Sequence, residues 1–354
     1  FLMKFANGKV TVAGDTAVAA PTERATSSYT VDRSMGPVLS FNTYNDIFHF
    51  LGEPTYGNIE GEQGDWEFVI TKLTDDSIFV KGKKWENEMV FTRMADGVDW
   101  TSYLDSIADV QKRLGVNYSV GNSSDASKMV EINSATRRIL SRTADGQVVE
   151  QPFYVTTTGI HAVNEPVALG DDKAQDFLVS KAGVMTAKDN EALTLNSYAP
   201  GIDTWVGEWT LSAMEGSCDM TISKVEDQEN MLMGTFTTGG YTYNIGLSFN
   251  PETGALNLPS QLIDDPTGRY PALWLMNADL NQGMLLGQGG MNIVWHGVSQ
   301  EGDFEDDGTL ASEGYASNAF VALACTTDGE PIKENNQFVF VFEWYYLSNL
   351  TPNK

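Results

Sequence analysis

Three histidines, His49, His161 and His296, are the side chains of this chain best suited to acid–base work near neutrality. None stands in an HExxH or any other metal-ligand spacing, so each reads as a packed or hydrogen-bonded core residue in an apolar strand. A GxSxG nucleophile elbow is missing from the sequence. Gly287, Gly289 and Gly290 lack the following Lys-Ser/Thr of a phosphate loop and read as turn glycines. Paired carboxylates are common: Asp75-Asp76, Asp171-Asp172, Asp264-Asp265 and Asp306-Asp307. Glycosidic acid/base pairs are defined by separation in space, and adjacent acids in turns read as solvated. Glu343 differs, because it interrupts the most apolar strand of the chain. There it either is buried with a raised pKa or faces solvent beyond a barrel rim. Asp303, Glu305, Asp307 and Gly308 fit positions 1, 3, 5 and 6 of a calcium-loop template, but position 12 is Gly314, and the stretch reads as a solvated mobile loop. Cys218 and Cys325 are 107 positions apart in strand-like runs and read as buried free thiols, with a strand-linking disulfide as the alternative. No catalytic residue, cofactor or metal site is assigned.

The aromatic residues carry the remaining chemical signal. Trp85 stands at the tip of a polar hairpin, and Tyr270 and Trp274 follow the loop Asp264-Asp265-Pro266-Thr267-Gly268. Rings beside acids and amides suit the faces of neutral sugars, since stacking supplies area and the polar neighbours orient the ligand. Trp85, Tyr270 and Trp274 are therefore the candidate ligand-binding residues. The competing reading makes Trp274 a core residue and packs Trp85 on a neighbouring loop.

The elements that must position these residues are short. Trp66 to Ile70, Ile78 to Lys81 and Met89 to Phe91, separated by polar turns, spell a three-stranded meander. Spacings of three and four among Trp100, Tyr103, Leu104, Ile107, Val110 and Leu114 predict one helix over Val98 to Leu114, capped by Asp99. A turn at Asp145-Gly146 joins two further strands as a hairpin. Linker composition at 196–201 divides the chain into an N-terminal β-rich domain, 1–200, and a C-terminal domain, 201–354. The second domain holds about eight strands, as an up-and-down barrel of the lipocalin-like kind or a β-sandwich. Its last strand carries Phe338, Phe340, Phe342 and Trp344 on one face and Val339 and Val341 on the other, and reads as central or barrel-closing. The fold class is thus mainly β, two antiparallel domains with one long helix.

Composition narrows the partners. The 354 residues exceed what one core usually organises. Forty-eight acidic against 22 basic residues give a formal charge of −26, which repels nucleic acid and anionic membrane surfaces. No stretch is apolar over the length that a membrane helix needs. Phe1 begins within a strand-like run with neither initiator Met nor signal pattern, so the chain reads as a processed or truncated piece.

Several runs resemble a family of uncharacterised Bacteroidetes lipoproteins encoded beside starch-utilisation-type outer-membrane import systems. They are Phe1 to Val12, Gly36 to Tyr44, Gly64-Asp65-Trp66-Glu67-Phe68-Val69-Ile70 and Val80-Lys81-Gly82-Lys83-Lys84, with weaker likeness at Pro152-Phe153-Tyr154, Gly159-Ile160 and Trp205 to Trp209. The resemblance implies an upstream signal peptide and lipid-bearing Cys, an extracytoplasmic place on the outer-membrane cell surface, and a neighbouring import complex as partner. It implies no activity. The leading expectation is a non-catalytic binding or scaffolding lipoprotein accessory to capture of a glycan or peptide nutrient. The alternatives are a carboxylate-dependent hydrolase of glycan or peptide and a lipocalin-like carrier of an apolar ligand inside the second barrel.

Overall fold

The computed structural model describes residues 1–16, 19–33, 36–54, 59–134 and 136–353. Strand makes up 51% of the chain and helix 8%, so the fold is mainly β. Two compact units divide it: Phe1–Arg113 with Val155–Ile160, and Leu114–Tyr154 with His161–Lys354.

The first unit is built on a seven-stranded antiparallel sheet whose strands pair in chain order: Leu2–Ala6, Lys9–Ala13, Ala25–Arg33, Pro37–Phe41, Glu67–Leu73, Ser77–Gly82 and Glu88–Thr92. Alternation decides its faces, so Val10, Val12, Leu39, Phe41, Phe68 and Val80 point to one side and form a core with Ile47 and Phe48 of the short helix Asp46–His49. The sheet rolls until Phe5 of the first strand and Phe91 of the last lie 6.4 Å apart. The longer helix is Trp100–Gln111, with Asp99 at its N-cap accepting from the Thr101 amide at 3.1 Å. Gln111 donates to Asp15 at 2.8 Å, and Arg24 lies 5.6 Å over the Trp100 ring, which pins the helix to the segment between the second and third strands.

Two closed eight-stranded barrels follow. Around the first run Arg138–Arg142, Val148–Val155, Gly159–Ala162, Asp176–Val179, Met185–Ala187, Asn190–Ser197, Asn117–Val120 and Met129–Asn133. Its Asp-Gly hairpin turns at Gly146, whose φ of 84° is left-handed and suits glycine. Around the second run Gly207–Ala213, Gly216–Lys224, Met231–Thr238, Tyr241–Phe249, Leu256–Pro259, Gly290–His296, Glu301–Asp306 and Asn349–Pro352. The second barrel is up-and-down but interrupted twice. The inserted strands Gln261–Ile263, Ala272–Asp279, Met284–Leu286, Ala319–Cys325 and Phe340–Tyr345 pair with one another in a five-stranded side sheet. One face of that sheet, through Leu273, Leu275, Phe320, Ala322, Phe342 and Trp344, shares a core with Trp205, Trp209, Phe236, Tyr243 and Trp295 of the barrel and its entry. The stretch 198–206 links the barrels, whereas the compact units divide at Arg113/Leu114.

Three readings from the sequence are corrected. The acidic stretch around Asp303 and Glu305 is not a loop but the strand Glu301–Asp306, hydrogen-bonded along its length to Gly290–His296. Strand Phe340–Tyr345 is neither central nor barrel-closing. It lies at the edge of the side sheet with a register shift at Ala322/Leu323, and Phe338 belongs to a separate two-stranded hairpin opposite Lys333; Phe338 and Phe340 are exposed while Phe342 and Trp344 are buried. His49 belongs to a helix rather than a strand. Both cysteines are free, Cys325 buried and Cys218 half-buried.

Candidate functional site

A stack of rings with polar anchors, two of the rings exposed, lies on the first unit. Asn45 begins it. Its side-chain oxygen accepts from the Phe48 amide at 3.2 Å and caps the four-residue helix, while its own amide donates to His49 Nδ1 at 3.0 Å. The same Nδ1 lies 3.3 Å from the Asn45 carbonyl, so the Asn45 backbone fixes the ring's orientation. Burial lowers the His49 pKa against the raising effect of hydrogen bonds to the Asn45 and Phe41 backbone, so the imidazole stays neutral at physiological pH. With its folded pKa depressed, His49 stabilises the unit above about pH 6.5 and loses that contribution as pH falls below it.

Two aromatic rings pack against the imidazole. Tyr44 stacks on it at 5.4 Å and 29°, and Trp66 lies 5.5 Å away at 36° on a tilted face. His49 is 8% exposed, while Tyr44 is 57% and Trp66 40% exposed. The Tyr44 hydroxyl donates to Glu53, which orients the ring. Gly52 makes room for the indole: a Cβ there would lie 2.4 Å from Trp66 Cζ3.

Trp85 is tied to the same place through the residue before Trp66. One carboxylate oxygen of Asp65 accepts from the Lys84 amide at 2.8 Å and the Trp85 amide at 3.2 Å, holding the turn between Ser77–Gly82 and Glu88–Thr92. A Cβ at Gly82 would fall 1.9 Å from Asp65 Oδ2, so only glycine fits under that carboxylate. The runs Gly64 to Ile70 and Val80 to Lys84, separate in sequence, are thus one physical unit. Trp85 itself is half-buried, with the Lys84 ammonium 4.3 Å over its ring. Asp65→Ala should release the turn and cost about 1–2 kcal/mol of first-unit stability, read by urea unfolding and by a shift in Trp85 emission; an unchanged midpoint would refute the role given to Asp65.

Tyr270 and Trp274 are not brought together. Tyr270 is half-buried against the second-barrel core, its hydroxyl donating to Glu334 at 3.1 Å and its amide to Asp265 at 2.8 Å. Trp274 lies on the opposite face of the side sheet, packed with Met276, Val321 and Leu323, because its neighbours Leu273 and Leu275 alternate into the shared core. Glu343 shares that outer face beside Val321 and accepts from the Tyr345 hydroxyl, a bond that, with burial, pushes the Tyr345 pKa up to about 12. His161 pairs with Asp176 at 2.9 Å near the surface of the first barrel. Among the described residues, no group of three or more His, Cys, Asp or Glu side chains is arranged to hold a metal ion.

Sequence reasoning missed Tyr44, His49 and Trp66 as a group. The signal was present as Asn45 four residues before His49, but one helical turn is too short for a periodic pattern to register. It also missed the pairing of Glu131 with His296, 165 residues apart, although a Glu inside Met129-Val130-Glu131-Ile132 marks a buried acid.

The chain belongs to the family described as Domain of unknown function (DUF4302), whose model matches residues 1–181. Comparison with curated proteins and with solved structures gives no match. The matched span contains the aromatic stack and the Asp65 turn, so the site is carried by the family part of the chain.

Proposed function

We propose that the protein is a non-catalytic binding or scaffolding lipoprotein of the outer-membrane cell surface, accessory to capture of a glycan or peptide nutrient by an import complex. The observation that carries the binding part is the Tyr44–His49–Trp66 stack, in which two exposed rings are held rigid about a neutral imidazole. Rigid rings lose little conformational entropy on binding, and their faces suit the C–H surface of a sugar or the side chains of an extended peptide. Glu53 beside Tyr44, and the Lys84-covered Trp85 on the adjoining turn, supply polar partners at the rim. A net charge of −26 favours neutral or cationic ligands over anionic ones. The lipid anchor, the surface location and the import complex rest on the resemblance of the N-terminal runs alone.

Calorimetry against a panel of neutral oligosaccharides and short peptides tests the reading. Trp66→Ala and Tyr44→Ala are each expected to weaken the best ligand by about 1–3 kcal/mol with the unfolding midpoint monitored in parallel. Trp85→Ala should have a smaller effect, and Trp274→Ala reports whether the side sheet contributes. Absence of binding across the panel, or affinity indifferent to Trp66, would overturn the site. Release of cleaved product would replace the binding reading with the hydrolase.

A further inference from the structure

Within the second unit, the segment Trp295–Ser299 of the second barrel is anchored on three side chains of the first. Asn117 accepts from the Gly297 amide at 2.8 Å and donates to the Trp295 carbonyl. Arg142 donates through Nε to the Val298 carbonyl at 2.9 Å. Glu131, 5% exposed, accepts from His296 Nδ1 at 2.6 Å, from the Val298 and Ser299 amides at 3.1 and 3.2 Å, and from the Ser299 hydroxyl at 3.4 Å. On the other side of the imidazole, Nε2 lies 3.3 Å from Asp303 Oδ2. That separation is within ion-pair reach but off the hydrogen-bonding direction, so Nε2 is buried without a hydrogen-bond partner.

The charged groups around the ring are one-sided. Glu131 comes from the first barrel; Glu301, opposite His296 in register, Asp303 and Glu305 come from the paired strand. Arg142 also reaches the junction, with its Nε committed to the Val298 carbonyl and its Nη1 to the Gly146 carbonyl. A neutral imidazole has one N–H, used here on Glu131, so its Nε2 lone pair would face the Asp303 carboxylate. Adding a proton converts that contact from repulsion to attraction.

We propose that His296 is a proton-operated latch between the two barrels: with its second proton it ties Glu131 of the first to Asp303 of the second, and on losing it the junction loosens. Burial lowers the His296 pKa, but the hydrogen bond and charge of Glu131, with Asp303 and Glu305, outweigh it and the net direction is upward. A raised folded pKa means that the contribution is complete below about pH 6.5 and is lost as pH rises through the folded value. Glu301 and Asp303 are also raised, chiefly by burial, with neighbouring carboxylates adding to it and the His296 charge working against it. They act with the same sign at lower pH, because the folded protein holds protons there that the unfolded chain releases. The latch closes toward acid and opens toward alkali, opposite to the His49 stack.

The experiment is a carbon-13 titration of the imidazole Cε1 signals of the intact chain, combined with amide exchange at Gly297, Val298 and Ser299 corrected for intrinsic rates. His296 should titrate above the ordinary histidine value of about 6.5. Exchange at the three amides should accelerate several-fold through that midpoint in the wild type and stay flat in His296→Gln. Should that variant not fold, His49→Gln and His161→Gln assign the His296 signal by elimination. A midpoint at or below the ordinary value, or exchange that does not follow it, would overturn the proposal.

Discussion

Trp205→Ala should be the most damaging single truncation in the second unit, lowering its unfolding free energy by about 3–5 kcal/mol. Trp205 is 0% exposed and lies at the entry to the second barrel. Its ring contacts Trp209 at 5.6 Å and Trp295 at 5.5 Å, and its indole N–H donates to the Gly254 carbonyl at 2.9 Å. The fit is tight on the remaining side, where a Cβ at Gly302 would lie 2.8 Å from the indole. Alanine would empty the centre of this aromatic group and orphan a carbonyl, and backbone held by closed hydrogen bonding cannot collapse into the space. Urea unfolding followed by circular dichroism measures the loss. A cost below about 1 kcal/mol would mean that the barrel core does not depend on this residue, since surface substitutions usually stay within that range. Trp205→Phe, keeping most of the volume but not the N–H, should fall between wild type and alanine.

Glu131→Ala is expected to cost about 3–5 kcal/mol as well, for a different reason. Removing one partner of a buried ion pair leaves the other charge and its polar neighbours uncompensated. Here the Val298 and Ser299 amides lose their acceptor, and His296 loses the carboxylate that orients it. A contrasting substitution calibrates the effect. Asp176→Asn breaks a histidine–carboxylate contact of similar length, but the Asp176 side chain is 37% exposed, and solvent screening should hold its cost to about 1 kcal/mol or less. Denaturation of both variants near pH 6 tests the pair: equal costs would show that burial at the barrel junction adds nothing to the Glu131 contact.

Much of the local structure was legible in the sequence for a simple reason. Alternation along Tyr241, Tyr243, Ile245 and Leu247 marks strand Tyr241–Phe249 and the face it buries, while Asp145-Gly146 and Asn250 to Gly254 mark reversals, because these signals lie within a few residues. The helix capped by Asp99 was legible through three turns of apolar spacing, and its ordered length is Trp100–Gln111. The character of the aromatic run Phe338 to Trp344 was not. Phe338 and Phe340 obey the same alternation as Phe342 and Trp344, yet Phe338 pairs with Lys333 in a separate hairpin, a register shift falls between Phe340 and Phe342, and only the later two rings are buried.

Sequence alone therefore determined the mainly β class, most turns, the capped helix and a formal charge of −26, all set by composition or by neighbours along the chain. Tertiary structure decided which strands close into barrels and which, inserted at 261–286 and 319–345, leave to form a side sheet. It also decided that Asp65 reaches over Gly82 to hold Trp85, that Tyr44, His49 and Trp66 form one stack, and that Tyr270 and Trp274 take opposite faces. Each of these depends on strand register or on contact between residues distant in sequence. A period of two specifies a side chain's face but not its partner, and a shift of one residue on the neighbouring strand would reassign every contact.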